Sequence, residues 1–135
     1  MTPRYYRVCL WLTIVECVVA FTIALAPWVN LMPIWMTLPE AAHLNRYEQI
    51  ATSGYGFWGA MWAIPNVVML RTTDLAAQRL WARLAGGMYL LWWIFWWGQI
   101  WDGTWQWYVV VGYVPLRAFQ LGAHLAYGLR RPATG

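Results

Sequence analysis

The chain has 135 residues, of which 61% are hydrophobic and only 10% are charged. Soluble domains carry about 25% charged residues, so this composition excludes an ordinary soluble domain. Nine arginines and no lysines stand against five acidic residues, which gives a net charge of +4. The arginines are dispersed between apolar runs, which argues against a nucleic-acid-binding surface and predicts the lipid bilayer as the main partner.

Four apolar segments are each long enough to cross a bilayer as a helix. In chain order they lie near 6–28, 53–70, 80–101 and 106–128. The chain is therefore predicted to be all-α, a single integral membrane four-helix bundle over residues 1–135. The first segment follows Arg4 and Arg7 and ends in "ALAPW", as a signal peptide can. Pro27 directly after the cleavage position and Glu16 inside the run indicate a retained first span.

The connection over residues 29–52 is the longest, and its prolines disfavour one continuous helix. Within it, "TLPE" places Thr37 as a helix cap with Glu40 three residues later, as in a capping box. The stretch that follows repeats apolar residues at helical spacing, at Leu44, Tyr47 and Ile50. We therefore expect a short amphipathic helix in this outer loop.

Arginine placement predicts the topology. With four spans, seven arginines fall on one side: Arg4, Arg7, Arg71, Arg79, Arg83, Arg130 and Arg131. The other side carries only Arg46, together with Glu40, Glu48 and Asp102. Because arginine is enriched in cytoplasmic loops, both termini are predicted to be cytoplasmic. The chain is predicted to be a multi-pass protein of the bacterial plasma membrane.

The fourth segment carries a stripe of polar and amphipathic side chains. The stretch "YVPLRAFQLGAHLAYG" spaces them by +4, +3, +4 and +3, at Tyr113, Arg117, Gln120, His124 and Tyr127. This spacing keeps all five on one face of a helix. Such a face is not expected to meet lipid, so it should point into the bundle or a wet cavity.

The other segments have matching faces. The face of the first segment consists of Cys9, Thr13 and Glu16. That of the second consists of Tyr55, Gly59, Trp62, Asn66 and Met69, and that of the third of Tyr89, Trp92, Trp96 and Gln99. These faces predict an interior with aromatic walls and a few polar points. Close helix approach is expected at five glycines, Gly54, Gly56, Gly59, Gly86 and Gly87. Tryptophans near the outer turn suit a membrane-interface belt. Six others lie deeper and need another explanation: Trp58, Trp62, Trp92, Trp93, Trp96 and Trp97.

Glu16 and Arg117 lie about halfway along antiparallel spans, so both are expected near the membrane midplane. A charge there costs at least roughly 2.5–3.5 kcal/mol, which predicts that the two face each other or share a polar cavity. The pair could fix helix register, or it could anchor a ligand. The candidate ligand-binding residues are Glu16, Trp58, Trp62, Asn66, Tyr89, Trp92, Trp96, Gln99, Tyr113, Arg117, Gln120 and His124.

Three functions remain open on the sequence. The first is binding of a hydrophobic or amphiphilic small molecule, such as a quinone, isoprenoid, pigment or lipid, in a pocket anchored by Arg117 and Glu16. The second is an accessory or assembly subunit of a larger membrane complex, with other subunits or a second copy as partners. The third is a small membrane isomerase or cyclase with Glu16 as the acid or base.

Metal and haem chemistry are not favoured. No residues show metal-ligand spacing, and a bis-histidine haem needs two histidines in register. The only other histidine, His43, falls in the outer segment, on the membrane side opposite His124. Haem bound through His124 is therefore not expected, and the cofactor is left unassigned.

The glycine-rich starts of two spans, "YGFWGAMW" and "RLAGGMY", together with the length and short loops, give the chain a family resemblance. It resembles the small four-helix bacterial membrane proteins of the DoxX-like type. The resemblance implies four spans and a role as an accessory membrane subunit linked to redox enzymes. It carries no functional residue over to this chain.

Overall fold

A computed structural model describes residues 1–29, 46–101 and 107–130. Side chains are described for residues 1–22, 57–95, 97–98, 101 and 110–130. Across these ranges the backbone forms four α-helices and no strands: α1 is Arg4–Val29, α2 is Arg46–Arg71, α3 is Leu75–Trp101 and α4 is Trp107–Gly128. The predicted all-α class with four helices is confirmed.

The chain falls into two compact units. The first unit comprises Met1–Cys9 and Met69–Gly135, and the second comprises Leu10–Val68. Within the first unit, α3 and α4 pack along each other. The prediction of one domain over the whole chain stays a prediction.

Of the five glycines expected to allow close helix approach, Gly59 and Gly86 do so, and Gly54 and Gly56 lie outside the residues whose side chains are described. In the second unit, a Cβ at Gly59 would lie 3.3 Å from the Ala20 Cβ, so α1 and α2 are close there. In the first unit, a Cβ at Gly86 would lie 2.9 Å from Leu125 Cδ2, so α3 and α4 are close as well. The expectation for Gly87 is wrong, because a Cβ there would meet no atom of the described residues within 4 Å.

The first three helices extend beyond the predicted spans, most of all at the start of α2. This helix begins at Arg46 rather than near residue 53, so residues 46–52 are not a separate amphipathic helix. The stretch "RYEQIATSG" has no proline, and the helical hydrogen-bond ladder therefore continues through it. Residues 30–45, which include the predicted cap, and the predicted tight turn at 102–106 lie outside the described residues.

One described helical stretch, Arg4–Thr22 of α1, is long and apolar enough to cross a membrane. Core helices of soluble proteins and signal sequences have the same length and composition. The described part of α4 is as long, but Arg117, Gln120 and His124 lower its hydropathy. The four-span bundle and its topology therefore stay predictions.

Asp74 is the N-terminal cap of α3. Its Oδ1 atom accepts hydrogen bonds from the backbone N–H groups of Ala76 at 2.8 Å and Ala77 at 3.1 Å. The Thr72 Oγ1 atom in turn accepts a bond from the Asp74 N–H at 3.2 Å. These bonds satisfy N–H groups that have no acceptor within the helix.

We expect Asp74→Ala to lower the free energy of unfolding by about 1 kcal/mol, because α3 loses this cap. Asp74→Asn, which keeps the acceptor oxygen, should lose less. Chemical denaturation followed by circular dichroism measures the difference. Thr73→Ala, at an exposed neighbouring position, is the control. An Asp74→Ala protein as stable as Thr73→Ala would show that the cap contributes nothing.

Candidate functional site

Gln78 joins the ends of all four helices in the first unit. The side chain is 2% exposed. Its Oε1 atom accepts hydrogen bonds from Thr2 Oγ1 at 2.7 Å and Tyr127 Oη at 2.9 Å. Its Nε2 atom donates to the carbonyl oxygens of Met69 at 2.9 Å and Thr72 at 3.0 Å. Because the last carbonyls of a helix lack intrahelical partners, Gln78 also caps the end of α2.

The segments that meet at Gln78 are the ones that arginine placement predicts to lie on the same side of a membrane. They are the start of α1, the end of α2, the start of α3 and the end of α4. Six of the seven arginines assigned to that side lie on these segments, and the seventh, Arg131, lies outside the described residues. These helix ends therefore lie together in the folded chain.

The polar stripe of α4 is buried, as its spacing predicts. Gln120 and His124 are fully buried, and Arg117 and Tyr127 nearly so. Tyr113 is partly buried. The hydrophobic side chains of α4 that are open to the surroundings include Val111 and Phe119. A helix with polar groups inside and apolar groups outside reverses the usual arrangement in water.

Five aromatic side chains and Arg117, on three helices, form a continuous series of ring contacts. We call this series the aromatic ladder, and it consists of Tyr127, Tyr6, His124, Tyr89, Arg117 and Tyr113. Ring centroids are 4.2 Å apart for Tyr127–Tyr6 and 5.4 Å apart for both Tyr6–His124 and His124–Tyr89. The Arg117 Cζ atom lies 5.4 Å from the Tyr89 centroid and 4.8 Å from the Tyr113 centroid.

Arg117 donates hydrogen bonds to two side chains of its own helix. Its Nη2 atom donates to Tyr113 Oη at 3.0 Å, and its Nη1 atom donates to Gln120 Oε1 at 3.3 Å. The rings of Tyr89 and Tyr113 lie near its guanidinium at cation–π distance. A buried cation is tolerated when such bonds replace its hydration. The predicted pairing with Glu16, a partly buried residue of the second unit, stays a prediction.

His124 has a different environment. The side chain is fully buried, and neither ring nitrogen has a hydrogen-bond partner in the part of the chain that the structure describes. The ring stacks on Tyr89 at an interplanar angle of 24° and meets Tyr6 edge-on at 85°. A neutral imidazole offers one donor and one acceptor, and each left unmade in a buried site costs about 1–3 kcal/mol.

The remaining predicted site residues do not belong to the aromatic ladder. Asn66 is fully buried, and its Nδ2 atom donates to the Trp62 carbonyl oxygen of the same helix at 2.7 Å. Trp62 and Trp92 are partly buried. Trp58 is 65% exposed, so its ring does not line a closed interior as predicted. The side chains of Trp96 and Gln99 lie outside the described residues.

Tyr6 and Gln78 belong to the site but were not among the predicted residues. A signal for Tyr6 was present, because it lies three positions before Cys9 and extends the same helical face. Cys9 and Thr13 are indeed fully buried, and the Cys9 thiol donates to the Gln120 carbonyl oxygen at 3.8 Å. Gln78 had no such signal, because its partners come from distant parts of the chain.

Among the described residues, no group of three or more His, Cys, Asp or Glu side chains could hold a metal ion. No protein-family model, curated protein or solved structure matches this chain. The resemblance to DoxX-like proteins therefore stays a prediction. The aromatic ladder and the unsatisfied nitrogens of His124 mark the candidate functional site.

Proposed function

We propose that this chain is a multi-pass membrane protein that binds an amphiphilic small molecule. The polar head of the ligand lies against His124, and its apolar body lies along aromatic side chains of α3. The candidate ligands are those with a small head that can hydrogen-bond, such as a quinone, an isoprenoid alcohol, a pigment or a lipid. Both termini lie on the cytoplasmic side.

The distribution of polarity supports a membrane location. Large apolar side chains are exposed along every described helix, for example Trp11 and Val15 on α1 and Leu91 and Ile94 on α3. Polar residues, among them Gln78, Arg117 and Gln120, are buried together with smaller apolar side chains and tyrosines. In water each exposed apolar side chain would cost about 25 cal/mol per Å² of surface, and a hydrocarbon environment removes this cost.

The observation that carries the ligand proposal is the pair of unsatisfied nitrogens on His124. A hydroxyl or carbonyl group at the imidazole would remove a cost that the described protein atoms leave in place. Arg117 lies seven residues away on α4, which is about 10 Å along the helix axis. Its N–H groups already bind Tyr113 and Gln120, so we assign the head to His124 and leave Arg117 as the neighbouring positive charge.

The ligand can be tested by native mass spectrometry of protein purified in mild detergent. Wild type should retain a bound mass. His124→Phe keeps an aromatic ring for stacking but removes both nitrogens, so retention should fall at least about fivefold, the effect of one hydrogen bond. His124→Gln keeps a donor and an acceptor and should retain more ligand. His43→Phe is the matched control, since it changes the only other histidine.

Stability gives a second readout of the same site. After the ligand is stripped, His124→Phe should be more stable than wild type, because it removes two unsatisfied buried atoms. Before stripping, the order should reverse. A bare wild-type mass combined with a less stable His124→Phe protein would sink the ligand proposal, because ordered water would then satisfy the imidazole.

A second candidate function is a subunit of a larger membrane complex. The exposure of Trp58 and Trp97, 65% and 43%, supports it, because large aromatic rings are common at subunit interfaces. Purification in the same mild detergent should then recover a stable assembly with other subunits. A monodisperse single chain that retains its ligand would favour the first function.

A further inference from the structure

Arginines are concentrated at one end of the first unit, around the Gln78 junction. We call this region the basic end, and it is defined by Arg4, Arg7, Arg71, Arg79, Arg83 and Arg130. Of these residues, all but Arg79 are exposed. The acidic residue on the same segments is Asp74, whose carboxylate caps α3. The basic end therefore carries a large local excess of positive charge.

The arginines of the basic end are open to an external anion. Within the described ranges, none of the six forms an ion pair with a carboxylate. Arg83 donates through Nε to the Gly128 carbonyl oxygen at 2.7 Å. Arg79 is partly buried, and its Nε atom has no hydrogen-bond partner in the same ranges. The exposed guanidinium groups of Arg4, Arg7, Arg71 and Arg130 can therefore receive acceptor oxygens from outside the protein.

An apolar surface begins directly beside these arginines. On α1, the exposed Val8 directly follows Arg7. On α3, the exposed Leu80 and Leu84 directly follow Arg79 and Arg83. A molecule bound here therefore meets positive charge at one point and an apolar helix surface next to it. A nucleic acid or an acidic peptide would leave that apolar surface uncovered.

We propose that the basic end binds the headgroups of anionic phospholipids in the adjacent membrane leaflet. Guanidinium groups match phosphate geometry through paired N–H donors, and the acyl chains cover the neighbouring apolar side chains. The attraction to an anionic leaflet holds the arginine-rich ends of the helices on that side. This inference rests on the membrane location proposed above but is independent of the ligand at His124.

The test is a lipid titration followed by native mass spectrometry of the full chain in detergent. Phosphatidylglycerol and phosphatidylcholine with identical acyl chains are compared. The anionic lipid should bind more tightly. Arg71→Gln should weaken its binding about fivefold, and Arg71→Gln combined with Arg130→Gln about 30-fold, from the usual strength of one arginine near an anionic surface. Phosphatidylcholine binding should change less than about twofold.

Arg46→Gln is the matched control, because it makes the same charge change at the opposite end of α2, about 37 Å away. Equal affinity for the two lipids, or an equal loss in Arg46→Gln, would overturn the proposal. Displacement of the anionic lipid by millimolar inorganic phosphate would also overturn it, because the site would then recognise a free anion.

The same spectra report any mass bound at His124, so the two proposals fail separately. Loss of that mass in His124→Phe with unchanged lipid selectivity tests only the ligand site. The membrane location is tested independently by extraction of native membranes.

Discussion

Replacing Gln78 by leucine is expected to lower the free energy of unfolding by about 3 kcal/mol. Leucine fills a similar volume but makes none of the four side-chain hydrogen bonds. The carbonyl oxygens of Met69 and Thr72 lose their donor, and the hydroxyls of Thr2 and Tyr127 lose their acceptor. Thermal unfolding monitored by circular dichroism should show a decrease in Tm of roughly 10 °C.

Two further variants make the Gln78 prediction specific. Gln78→Glu keeps an acceptor for Thr2 and Tyr127 but sets a carboxylate against the two carbonyl oxygens, so it should destabilise at least as much as leucine. Thr73→Ala changes an exposed residue next to the junction and should leave Tm unchanged. A leucine variant as stable as Thr73→Ala would mean that Gln78 does not hold these helix ends together.

Gly128→Ala is expected to cost about 2 kcal/mol, because α3 and α4 are too close there for a side chain. A Cβ at this position would lie 2.9 Å from the Arg83 backbone nitrogen and 3.1 Å from the Ala82 carbonyl carbon. Both are backbone atoms, so the helices themselves would have to separate. The same movement would disturb the bond from Arg83 Nε to the Gly128 carbonyl oxygen.

Other glycines provide graded controls for this prediction. Among the residues that the structure describes, no atom lies within 4 Å of a Cβ built at Gly122. Gly122→Ala should therefore be neutral or stabilise by up to about 1 kcal/mol through helix propensity. At Gly86 the nearest atom is Leu125 Cδ2, the end of a flexible side chain, so Gly86→Ala should fall between the two. Equal stability of Gly128→Ala and Gly122→Ala would contradict the close contact.

The buried face of α4 could be predicted from the sequence because its signal is local. Polar residues at +4, +3, +4 and +3 lie on one side of any α-helix, whatever surrounds it. Burial of Arg117, Gln120 and His124 therefore follows from the spacing together with the cost of exposing them to lipid. The same reasoning also predicts burial of Tyr6, which lies three positions before Cys9 on the same face of α1.

The contacts of Gln78 could not be predicted in this way. Its partners Thr2 and Tyr127 are 76 and 49 residues away, and one glutamine at the start of a helix is usually solvated. The predicted start of α2 was wrong because apolar content indicates the membrane-crossing part of a helix, and a helix can begin in a polar stretch before that part. Trp58 was misplaced because an indole ring suits lipid, a protein interior and an interface alike.

The most direct test of the account is whether the chain is integral to a membrane. Native membranes that contain the protein are washed with alkaline carbonate, which releases peripheral proteins, and the pellet and supernatant are compared. The exposed apolar side chains and the buried Arg117 and His124 predict that the chain stays in the pellet until detergent is added. Release into the carbonate supernatant would contradict the membrane location and, with it, the proposed binding of an amphiphile within the bilayer.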